Sequence, residues 1–151
     1  MPRRPPRPAP KPKDEKRELY AFMQGLRANE IGRFESCLRM LNGITPVRTT
    51  ARQLQGFVLI AFAESMGQSM TLSDLKEQSG DGPDGTPILG QHMNRSYQLY
   101  LDPKVSGDTD SLNWVYQDID PDDARRKYLR LTPEGVEVAV RLTNIMKGEE
   151  E

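Results

Sequence analysis

Gln91, Asn94, Arg95 and Gln98 fall on one face of a helix predicted over roughly 87–101, with Leu89, Met93, Tyr97 and Tyr100 on the other. Side-chain amides and guanidinium groups make bidentate hydrogen bonds to adenine or guanine edges, so this face carries the chemistry of base reading. It is equally the composition of an ordinary solvated helix face. A second set of charges, Asp123, Arg125, Arg126 and Lys127, lies in and beside a polar turn over 118–126. A third, with Arg3, Arg4 and Arg7, lies in an N-terminal arm that also holds Lys11 and Lys13. All three sets suit phosphates and base edges better than bond-breaking chemistry.

Other chemistries find no support. Asp118, Asp120 and Asp122 imitate the start of a calcium loop, but position six is Asp123 rather than glycine and position twelve is Leu129 rather than glutamate. A single cysteine excludes a disulfide framework, and a single histidine excludes the usual Cys/His zinc sets. Cys37, among Phe34, Leu38 and Leu41, reads as a small core residue rather than an oxidant sensor. His92, beside Leu89 and Met93, reads as a packed or boundary residue rather than a base contact. There is no glycine-rich phosphate loop, nucleophile elbow or paired catalytic constellation. The sequence predicts no catalytic residue, no metal site, no cofactor and no enzyme.

The elements that must position these residues start with the arm. Residues 1–13 hold six prolines, which remove backbone donors and bias the chain to extended polyproline II. The arm is read either as an electrostatic strap on phosphates or a minor groove, or as a solubilising tail. From Asp14 to Leu41, Leu19, Phe22, Met23, Leu26, Ile31, Phe34, Leu38 and Leu41 recur at three- and four-residue steps. That predicts an amphipathic helix or helix pair, with Gly25 and Gly32 as breaks or close-contact points. Such a stripe needs a covering surface, from this domain or from a second copy.

Ala51–Met66 predicts a helix capped by Thr49 or Thr50, apolar on all sides through Phe57–Ala63 and hence central and buried. A short helix over Leu72–Gln78 follows, capped by Thr71 or Ser73, and then a Gly/Asp/Pro-rich loop over 80–87. After the polar-faced helix and an acidic insertion at 102–111, Leu112–Gln117 and Lys127–Leu131 predict a hairpin. Thr132 and Pro133 start a last helix, with Val136, Ala139, Val140, Thr143 and Met146 as its buried stripe. The order predicts a mainly α protein with a small β-hairpin wing, a winged helix-turn-helix whose polar-faced helix enters the major groove. The domain plan is an arm over 1–13, N-terminal helices over 14–50, a winged unit over 51–135 and a C-terminal helix over 133–151.

Asp120-Pro121-Asp122-Asp123-Ala124-Arg125-Arg126-Lys127, followed by Leu131-Thr132-Pro133-Glu134-Gly135, resembles the wing and next helix start of MarR-type transcriptional regulators. Asp123 and Arg125 match that family's Asp-x-Arg pair; Leu131, Thr132 and Gly135 match its Leu-Thr-x-x-Gly. Leu112-Asn113-Trp114-Val115 takes the place of its first wing strand, and Leu72–Leu75 looks like the first helix of its turn motif. The resemblance implies a homodimer on a pseudo-palindromic operator, with Arg125 in the minor groove and Asp123 orienting it. A plainer role for the pair is to stabilise the turn. The resemblance also admits a small-molecule effector, and leaves residues 14–42 and 133–147 to form the dimer interface. The segment 86–114 is about ten residues longer than the family pattern, and brings in Asp102, Asp108 and Asp110.

A net charge of −1 hides an uneven distribution. The arm holds five of the chain's 21 basic side chains and none of its 22 acids, so it carries +5 and the other 138 residues carry −6. Positive charge recurs at Arg125, Arg126, Lys127 and Arg130, where a wing would meet DNA. No apolar run reaches the ~18–20 residues of a membrane helix, and no hydrophobic stretch follows the basic start as a secretory signal requires. The expectation is a cytoplasmic, nucleoid-associated regulator, a repressor in its simplest form, that binds double-stranded DNA and no membrane. The alternative is a winged-helix adaptor that uses the acidic body to bind transcription machinery or another protein.

Overall fold

The computed structural model describes residues 16–26, 28–89, 98–100 and 111–149, together with Pro5, Pro6 and Pro8. Helices dominate, joined by one small antiparallel sheet. The order is α1 (Arg17–Leu26), α2 (Ala28–Ile44), α3 (Ala51–Ser65), β1 (Met70–Thr71), α4 (Leu72–Gln78), a 3-10 turn (Gln98–Tyr100), β2 (Val115–Ile119), β3 (Lys127–Leu131) and α5 (Pro133–Lys147). Among the described residues no helix is long and apolar enough to cross a membrane.

Threonine hydroxyls start three of the helices. Thr50 and Thr71 each accept the backbone N–H three residues on, while Gln53 and Asp74 reach back to the threonine N–H and complete a capping box. Thr132 accepts the Gly135 N–H at 3.1 Å, and Pro133 occupies the first helical position, where no donor is needed. Gly148 closes α5 at φ 80, the left-handed conformation that lacks a Cβ penalty.

The core lies where α3, α4, α5 and the sheet meet. Phe57, Ile60, Leu75 and Val115 are fully buried, with Met70, Leu89, Trp114 and Leu129 beside them. Phe57, Tyr100 and Trp114 form an aromatic trio with ring centroids 5.0–5.7 Å apart. The Tyr100 hydroxyl donates to the Gln53 carbonyl, so its one polar atom is satisfied. Burial raises that hydroxyl's pKa well above the usual phenol range.

Several expectations need correction. The N-terminal stripe is a helix pair, but neither glycine breaks it: α1 ends at Leu26, and Gly32 lies inside α2 with open space around it. Among the described residues of this helix pair only Cys37 and Leu41 are buried, while Leu19, Phe22, Ile31 and Phe34 stand half or more exposed. Helix α3 is not buried all round, because Val58 and Phe62 face outward.

The helix expected over 87–101 is not α-helical at its described ends. Pro87 bridges to Asp81, Ile88 and Leu89 form a turn, and Gln98–Tyr100 is 3-10. β2 starts at Val115 rather than Leu112. Leu112 and Trp114 donate to the carbonyls of Leu99 (2.8 Å) and Tyr100 (2.7 Å) instead of joining the ladder, and Asn113 turns the chain at φ 56. Leu99 and Tyr100 are thus tied directly to Leu112 and Trp114. β1, pairing Met70 with Leu129 and Thr71 with Tyr128, was not foreseen.

The buried side of α5 is also different from the expected stripe. Gly135 and Val138 are buried, whereas Val136, Val140, Thr143 and Met146 are exposed and Ala139 is only half-buried. The cause is local. A Cβ on Gly135 would lie 2.1 Å from the Trp114 carbonyl oxygen, so only glycine can face β2 there, and this sets the rotation of the helix.

Candidate functional site

The connection between β2 and β3 is built from aspartates that serve the backbone. Asp120 Oδ1 accepts the Asp122 N–H at 2.9 Å, and Asp123 Oδ1 accepts the Arg125 N–H at 3.0 Å. Main-chain bonds from Arg126 N to Asp123 O and from Asp120 N to Arg126 O, both 2.9 Å, close the turn. These are Asx turns, which tighten a bend by giving a carboxylate to nearby donors. The Asp120 and Asp123 carboxylates are engaged within the loop, and Arg125, Arg126 and Lys127 are left exposed.

Those three cations form one wall of a cleft of about 650 Å³ between the hairpin and α4. The other wall carries Thr71, Ser73 and Asp74, and Gln117 and Tyr128 form part of the lining. Asp74 does not present a free carboxylate, since it accepts the Thr71 N–H at 3.0 Å. The cleft offers three exposed cationic donors beside hydroxyl and amide groups, a set that suits phosphate oxygens.

Asp123 and Arg125 are thus brought together, but through the Arg125 backbone N–H rather than through an ion pair. Arg126 and Lys127 join them at the cleft. Gln91, Asn94, Arg95, Arg3, Arg4 and Arg7 lie outside the described residues. So does the side chain of Gln98, whose backbone sits in the 3-10 turn. Thr71, Ser73 and Gln117 were missed as cleft residues. Thr71 was legible only as a cap, and nothing in the sequence shows that the hairpin folds over α4.

Arg130 plays another part than the one its position suggested. Its guanidinium donates to both oxygens of Glu64 on α3, at 2.6 and 3.3 Å, and its Nη1 lies 3.9 Å from Asp118. Glu64 also accepts the Leu131 N–H at 3.1 Å. The hydrogen bond to Glu64, and then its charge, raise the pKa of Arg130. Arg130 is a brace between helix and sheet.

On the opposite side, α2, α3 and α5 enclose an open groove of about 620 Å³ with an almost wholly apolar lining. Cys37 lies at its floor, with its thiol 3.9 Å from the Leu142 carbonyl, and desolvation raises the thiol's pKa.

Comparison of the chain with protein-family models, curated proteins and solved structures finds no match.

Proposed function

We propose that this chain is a winged helix-turn-helix DNA-binding regulator that occupies a pseudo-palindromic operator as a homodimer in the cytoplasm. The observation that carries the reading is the cleft beside the hairpin, where Arg125, Arg126 and Lys127 project while Asp120 and Asp123 are bound to the turn's own backbone. The order α3, α4, hairpin and α5 supports it, with the hairpin as the wing. So does the MarR-like motif, whose glycine has a physical cause in the Trp114 carbonyl against Gly135. Asp123 fixes the direction in which the chain leaves the turn. Arg125 then reaches from a defined point toward the negative potential of a narrow minor groove. Gln91, Asn94, Arg95 and Gln98 read bases, and Arg3, Arg4 and Arg7 add phosphate contacts.

Selection of bound sequences from a random duplex pool tests the reading. A two-fold-related motif is the expected outcome, with Arg125→Ala weakening its binding. Recovery of no motif, with affinity at low salt equal to that for random duplex, removes the regulator reading in favour of the protein-adaptor one.

A further inference from the structure

We propose that the first turn of α3, through Ser79 and Tyr100, positions the residues that read bases and so sets sequence preference. The inference rests on the base-reading part of the proposal above and assigns what aims those side chains. Gln91, Asn94 and Arg95 lie in the sequence between two anchored points, Ile88–Leu89 and Gln98–Tyr100. At the first, the Ile88 N–H donates to the Gly80 carbonyl at 2.8 Å, and the Ile88 carbonyl accepts Arg52 Nη1 at 3.3 Å. The Leu89 N–H donates to Ser79 Oγ at 3.2 Å, and the Leu89 side chain is buried in the core. Ser79 is itself fixed. Its hydroxyl donates to the Lys76 carbonyl at 2.8 Å, and its carbonyl accepts Gln55 Nε2 at 3.0 Å.

At the second point the Tyr100 hydroxyl donates to the Gln53 carbonyl, with its ring buried against Phe57 and Trp114. Gln53 is held in turn, because its side chain closes the capping box and Oε1 accepts the Thr50 N–H at 2.8 Å. Arg52, Gln53 and Gln55 span only about 4.5 Å of helix axis, so both anchored points refer to one place on α3. Packing alone would hold Leu89 and Tyr100 at depth, but apolar contact has no direction. Hydrogen bonds at both points add direction, and base reading demands it. A bidentate bond to a base edge is lost on a small misplacement, whereas a cation on a phosphate tolerates one. Loosening either point should therefore reduce sequence preference and spare affinity for duplex of any sequence.

The test measures affinity, at one salt concentration, for the duplex that wild type selects and for a random duplex of equal length, with melting temperature beside it. Tyr100→Phe keeps the ring and removes the hydroxyl, which loosens the second point. Ser79→Ala loosens the first. Each is expected to lower the ratio of the two affinities about tenfold or more, by loss on the selected duplex alone. Glu64→Ala is the control, because it removes the brace to Arg130 and touches neither point. It should lower the melting temperature and leave the ratio unchanged. A ratio that stays at the wild-type value in both Tyr100→Phe and Ser79→Ala overturns the positioning role and leaves the regulator standing. An equal fall in Glu64→Ala does the same, since the effect is then one of stability. A wild type that selects no duplex overturns the regulator reading and this inference with it.

Discussion

The tip and the base of the hairpin contain the same kinds of residue and use them in opposite ways. At the tip, Asp120 and Asp123 bind backbone N–H groups, and Arg125, Arg126 and Lys127 stay exposed. At the base, ten ångströms or so of chain further on, Arg130 meets Glu64 and Asp118, and its charge is matched inside the molecule. Counting charges would rank the four cations together. Tracing each acid to its hydrogen-bond donor separates three that can meet an outside anion from one that holds the sheet to α3. Surface charge serves recognition only where the fold has not already matched it.

The base is where the structure should break most easily. Gly135→Ala places a methyl within 2.1 Å of a backbone oxygen, which cannot rotate away, and should cost about 3 kcal/mol or more. A fall in melting temperature with retained helix content in the remaining folded fraction checks it. Glu64→Ala leaves the Leu131 N–H and the Arg130 guanidinium without their acceptor. The expected loss is about 1–3 kcal/mol, read as a lower denaturant midpoint. If Arg130→Ala instead impaired DNA binding as strongly as Arg125→Ala with no loss of stability, the division between tip and base would fail.

At the tip the order of effects reverses. Replacing Arg125, Arg126 and Lys127 together by alanine should change stability by less than about 0.5 kcal/mol. DNA affinity should fall, and the salt dependence should flatten by up to about 0.9 in log–log slope per lost phosphate contact. Asp123→Ala should cost about 0.5–1 kcal/mol by freeing the Arg125 N–H, and weaken operator binding less than Arg125→Ala does. The smallest effect concerns the far groove. Because burial raises the Cys37 pKa, the unfolded chain loses its thiol proton first, so this residue's contribution to stability falls as pH rises above about 8.5. Alkylation of Cys37 at pH 8 should be at least about tenfold slower in the folded protein than in denaturant.

Capped helix starts were the most legible part of the fold. Thr50, Thr71 and Thr132-Pro133 mark α3, α4 and α5 because a cap is a local interaction written in four consecutive residues. β3 was legible by its alternation. What escaped the sequence was set at a distance. β1 is two residues long and exists only because β3 lies alongside. The start of β2 depends on carbonyls of Leu99 and Tyr100. The rotation of α5 depends on Trp114, so a stripe chosen by spacing alone picked the wrong side. The cationic tip was visible as composition, but not its facing of α4, which requires the sheet to be assembled.

The hydrogen bond from Leu112 to Leu99 has a consequence for how this chain can vary. The residues on either side of 101–110 are tied to each other directly, so the described fold around them is held whatever length of chain joins them. Doubling the length of a connection costs only about 0.6 kcal/mol in closure entropy. Residues added between Tyr100 and Ser111 should therefore leave the melting temperature nearly unchanged, and an engineer can graft an epitope or a reporter there. The aromatic trio of Phe57, Tyr100 and Trp114 would keep its packing.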